Sequence, residues 1–276
     1  MKRLAALLLL LLTLTACAAP APEPEDTAVF APIPVTERPA ALGLAVSGHL
    51  LRSMHATEDF SGYAQLEAAV AAVLVDSDGV IRRCRIDGVR ARIPFDCTGA
   101  LGEVPARFPS KTALRRSYGM HKASPAGTEW YQQADALARS CIGKRAADLR
   151  GGDTVTSVTI DTGDLLQAVI AAAENARPTQ GLSTMDELAL TCCALPAPSR
   201  SAGADSCGRA SFRLFAVARA DTAQSSAALA AHVPFDGSGH ILCDLAAAPR
   251  TGSPTLYPTG VTAAEQAFLQ EMAGEN

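Results

Sequence analysis

From Ala64 to Val75 the chain is rich in Ala, Val and Leu, with alternating polar residues only at its start. After Asp76-Ser77-Asp78-Gly79, a second stretch of the same kind runs from Val80 to Val89. Two such runs around a turn-forming tetrad predict a β-hairpin. Arg92-Ile93-Pro94-Phe95-Asp96 extends it as an edge segment, because Pro94 has no N–H for a central ladder. The Asp-x-Asp-Gly reads as a turn, since the later oxygen ligands of a calcium loop are missing.

The period then changes to that of helices. Lys111 to Ser124 predicts a short helix followed by a loop around Gly119, and Thr128 to Cys141 a longer one. Trp130, Ala134, Leu137, Ala138 and Cys141 share a face of the second, and Gly143 ends it. Asp153 to Thr159 is rich in β-branched and hydroxyl residues, which predicts a short strand or tight turn. Asp161 or Thr162 then caps a helix carrying Leu165, Leu166, Val169, Ile170 and Ala173, closed before Pro178. Hydroxyls just ahead of a helix start suit an anionic group, because free N–H groups point there.

A degraded repeat follows. Ile93-Pro94-Phe95-Asp96-Cys97-Thr98-Gly99 returns as Val233-Pro234-Phe235-Asp236-Gly237-Ser238-Gly239, and Gly62-Tyr63-Ala64 as Gly208-Arg209-Ala210. Leu44 to Gly62 has the length of Leu190 to Gly208, while the second Gly-to-Phe interval is shorter, as a shortened hairpin requires. The expected fold class is α+β: antiparallel hairpins packed with two or three helices, complete over residues 42–177 and truncated over residues 178–276.

The ends change the picture. Lys2 and Arg3 precede an apolar run from Leu4 to Leu14 and then Thr15-Ala16-Cys17, which predicts an export signal over residues 1–16. Leu14-Thr15-Ala16-Cys17 resembles the bacterial lipobox, which implies a lipid on Cys17 and a place on the extracytoplasmic face of a membrane. Residues 17–41 are Ala- and Pro-rich and read as a tether. The formal net charge of −4 and the lack of a basic face argue against nucleic acid as a partner. The seven later cysteines, Cys84, Cys97, Cys141, Cys192, Cys193, Cys207 and Cys243, form no Cys-x-x-Cys, and the histidines have no zinc-like spacing. No metal site and no catalytic residue is assigned. A nucleophile elbow, a His-Glu-x-x-His and a phosphate loop are all absent, which favours a carrier or binding protein over a turnover enzyme.

Asp153-Thr154-Val155-Thr156-Ser157-Val158-Thr159 resembles the C-terminal signature of the FMN-binding domain of flavin-carrying lipoproteins and membrane redox subunits. The family pattern is Asp, two variable positions, Ser/Thr, Gly/Ser, Ala and Thr, with an Ala-Val pair in the next helix. Asp153, Thr156, Ser157 and Thr159 occupy its positions and Ala168-Val169 supplies the pair. Val158 stands at the Ala position and Asp161 where the family usually has a hydroxyl. The resemblance spans roughly residues 60–176. It implies FMN joined by a phosphoester to Thr159 by a flavin transferase, phosphate contacts from Thr156 and Ser157, Asp153 as recognition acid, and a redox partner.

Trp130, Tyr118 or Tyr131 are candidates to stack on the ring, and Met120 and His121 to line its pocket; Trp130, on an apolar helix face, reads first as a core residue, and the two tyrosines fit as well as packing residues. Thr156 and Thr159 also fit as alternate residues of a strand. Lys111, Arg115 and Arg116 either meet a phosphate or are solvated. Two roles remain open: a flavinylated electron carrier, or a surface lipoprotein whose domain has lost flavin and serves binding or envelope interactions.

Overall fold

The computed structural model describes residues 37–122, 124–125, 127–151, 158–203, 205–246 and 256–274. In chain order the elements are β1 (Pro39–His49), β2 (Gly62–Asp76), β3 (Ile81–Phe95), β4 (Phe108–Pro109), α1 (Lys111–Leu114), α2 (Trp130–Cys141), α3 (Ala146–Leu149) and α4 (Gly163–Glu174). They continue as β5 (Arg177–Ser183), β6 (Leu188–Pro196), β7 (Gly208–Ala220), β8 (Ala223–Phe235), β9 (Leu256–Thr259) and α5 (Ala263–Gly274).

Two antiparallel sheets, ordered β3-β2-β1-β5 and β4-β6-β7-β8-β9, make the fold α+β. Alternation along β2 explains how they stack. Leu66, Val70 and Leu74 enter a core shared with Phe212, Leu214, Val233 and Phe235 of the second sheet. Ala69, Ala71, Val73 and Val75 point the other way, into a second core with Trp130, Leu137, Leu166 and Val169 of the helices. A strand covered on both faces needs apolar residues at both parities, hence the nearly unbroken run in the sequence. Leu269 of α5 packs on Phe215 and Val217, so the second sheet is also backed by a helix.

The hairpin of β2 and β3 forms as the hydrophobic pattern predicts. Asp76 Oδ1 accepts the N–H groups of Asp78 (2.9 Å) and Val80 (3.0 Å), and Gly79 takes φ 78° to close the turn. β3 is an edge strand, which accommodates Pro94. β1 begins at Pro39, inside the stretch whose composition reads as tether.

Equivalent pairings recur in the two sheets. Gly62 faces Phe95 across β2–β3, and Gly208 faces Phe235 across β7–β8. The two phenyl rings stack with centroids 4.2 Å apart and planes 5° from parallel. The loops cross reciprocally: Ala56 N–H donates to Gly239 O (2.9 Å), and Ala202 N–H to Gly99 O (2.8 Å). No helix among the described residues is long and apolar enough to cross a membrane.

Candidate functional site

Thr159 lies just ahead of α4 in an exposed loop that one side chain holds. Gln133 sits on the buried face of α2, where its Oε1 accepts the N–H groups of Thr159 (2.7 Å) and Ile160 (3.1 Å) and the Thr159 hydroxyl (3.1 Å). Its Nε2 donates to Ser124 Oγ (3.2 Å) and Thr128 O (3.4 Å), and Ser124 Oγ is 3.3 Å from Thr159 Oγ1. Gln133 is not among the candidate residues of the sequence analysis. Its signal was there: a polar residue between Trp130 and Leu137 on an otherwise apolar helix face.

Beside Thr159 opens a cleft of about 340 Å³, toward the lower end of the range of about 300–1,000 Å³ usual for small-ligand pockets. Trp130, Tyr118 and Met120 line it with Thr159. Trp130 is also part of the core formed with the helices, so it packs and lines the cleft at once. His121 bonds Glu129 instead, Nδ1 to Oε1 at 2.7 Å, and Glu129 also accepts the Met120 N–H at 3.0 Å. Those contacts tie the segment before α2 to the start of that helix.

The basic cluster divides. Lys111 turns inward with its side chain 12% exposed, while Arg115 and Arg116 are exposed. Lys111 Nζ meets Glu67 Oε2 at 3.1 Å, and Arg90 Nε meets Glu67 Oε1 at 2.5 Å. Burial works to raise the Glu67 pKa, but Lys111 and Arg90 outweigh it and hold the carboxyl below its ordinary value. Tyr131 belongs to a separate cleft, under the Arg115 guanidinium 5.1 Å from its ring centroid.

The start of α4 carries its own acid. Asp161 Oδ1 accepts the Gly163 N–H at 3.0 Å, and Asp164 lies in the first turn with Oδ2 3.5 Å from His49 Nε2. His49 also lines the cleft, and its buried Nδ1 has no hydrogen-bond partner among the described residues. Of the sequence-derived candidates, Thr159, Trp130 and Tyr118 come together here, while Asp153, Thr156, Ser157 and Cys17 lie outside the described residues. Among the described residues no group of three or more His, Cys, Asp or Glu side chains is arranged to hold a metal ion. No family model, curated protein or solved structure matches the chain.

Proposed function

We propose that the chain is a lipid-anchored flavoprotein that carries FMN on Thr159 and passes electrons between partners without transforming a substrate. The observation that carries this reading is the exposed residue Thr159, which lines one cleft with Trp130 and Tyr118. The flavin supplies reversible electron uptake, and the protein supplies attachment, orientation and electrostatics. The residues present fit such a group: His49 lines the cleft, and its buried Nδ1 has no hydrogen-bond partner among the described residues. Thr159 takes the phosphoester, Trp130 and Tyr118 flank the ring, and Asp153, Thr156 and Ser157 complete the attachment signature. A flavin transferase and a redox partner are implied, with lipid on Cys17 holding the protein at the extracytoplasmic face.

The reciprocal loop contacts and the paired Gly–Phe positions support reading the chain as an FMN-binding-like domain followed by a diverged, shortened copy of its hairpin. One observation favours a second role. Asp161 and Asp164 put two carboxylates where a phosphate would approach, which suits a flavin-free binding module. Co-expression with a flavin transferase separates the two. An intact mass raised by one FMN moiety with in-gel flavin fluorescence, both lost in Thr159→Ala, supports the carrier. An unmodified, colourless protein supports the binding module.

A further inference from the structure

This inference rests on the flavin reading and concerns how the cleft tunes the bound ring. Lys111 opens α1 behind Ser110, whose Oγ accepts the Ala113 N–H at 3.1 Å. Its Nζ lies 5.2 Å from the Trp130 ring centroid and 5.6 Å from that of Tyr118. Both rings line the cleft beside Thr159, so the ammonium stands among the side chains that would meet an isoalloxazine.

Glu67 offsets this charge only in part. Its Oε1 takes Arg90 Nε at 2.5 Å and Gln65 Nε2 at 2.8 Å, and its Oε2 takes Lys111 Nζ at 3.1 Å. One carboxylate thus serves two cations, and Arg52, Asp161 and Asp164 also line the cleft. The lysine ammonium has three N–H donors, and among the described residues its one hydrogen-bond acceptor is Glu67. At 12% exposure that charge acts through a medium less polar than water, so its field at a neighbouring ring is screened less than that of a fully solvated ammonium.

The geometry points to Lys111 as the positioning residue that sets the electron affinity of a flavin in this cleft, with Glu67 as its opposing counterweight. Electron uptake by a flavin builds negative charge on the ring, and a nearby cation favours that uptake. Lys111→Met therefore disfavours reduction, Glu67→Gln favours it, and Lys111→Arg, which keeps the charge, stays near the wild type. A purely structural role for the pair gives no reason for shifts of opposite sign.

The experiment is a spectroelectrochemical titration of the full chain, co-expressed with a flavin transferase, with intact mass recorded on each sample. The expected result is a reduction equilibrium weakened about tenfold or more in Lys111→Met, about 30 mV more negative for a two-electron couple. Glu67→Gln moves the other way. Should Lys111→Met fail to fold, the sign of the Glu67→Gln shift decides. Flavin present on every variant with an unchanged potential, or with both shifts in one direction, overturns the inference and leaves the flavin reading standing. A wild-type chain that takes no flavin overturns both.

Discussion

A polar side chain on the buried face of a helix costs desolvation unless each of its groups finds a partner. Gln133 meets that requirement with contacts that reach from α2 to Thr159, Ile160, Ser124 and Thr128. Gln133→Leu keeps the volume and removes the acceptor, leaving the Thr159 and Ile160 N–H groups without it. Urea denaturation should show a loss of about 1–3 kcal/mol, and the fraction of chain accepting flavin should fall. Unchanged stability would show that the loop holds without this residue. Asp87 makes a pH prediction. Burial pushes its carboxyl above the ordinary value despite hydrogen bonds from Ser110, Gly88 and Thr112. With the folded pKa above the unfolded one, its stabilising contribution is full below the unfolded value and is lost as pH rises through the folded value. Asp87→Asn keeps an acceptor for the Gly88 and Thr112 N–H groups and drops the charge. Measured against the wild type, its stability should improve as pH rises above the ordinary aspartate value of about 4; a pH-independent difference would contradict the assignment.

At the scale of elements, β1 and α4 meet at a point where only glycine fits. A Cβ on Gly43 would stand 2.0 Å from Ala172 O and 2.8 Å from Ala172 C, both backbone atoms. Gly43→Ala must therefore push α4 off the sheet, and thermal denaturation should register a cost of about 1–3 kcal/mol. An unchanged midpoint would mean that the helix can slide without penalty. This contact also explains what the sequence withheld. The hairpin of β2 and β3 was legible because covered strands show as long apolar runs, and α2 and α4 because their apolar faces repeat at helical spacing. β1 starts inside the tether-like stretch: Ala, Gly and Pro carry weak strand preference, and its strand state depends on β2 and β5 on its two edges. β5, β6, β9 and α5 went unanticipated for a related reason. Arg177–Ser183 contains Pro178 and Gly181, which punctuate a local pattern, and it is a strand because β1 offers it an edge.

For the molecule as a whole, each sheet is backed by a helix on the face away from the core that the two sheets share. The cleft forms where β1 and β2 meet α2, α4 and the segment around Tyr118. Thr159, Trp130 and Tyr118 were legible as candidates from one motif and two aromatic residues. Lys111, Glu67 and Gln133 acquire their roles from contacts between elements far apart in sequence, which no local pattern announces. The central claim is that the hydroxyl at position 159 is the attachment point for FMN. Peptide mass mapping with fragmentation, on the full chain co-expressed with a flavin transferase, tests it most directly. The account predicts one FMN moiety localised to Thr159; an unmodified peptide, or a flavin on a different hydroxyl, would contradict it.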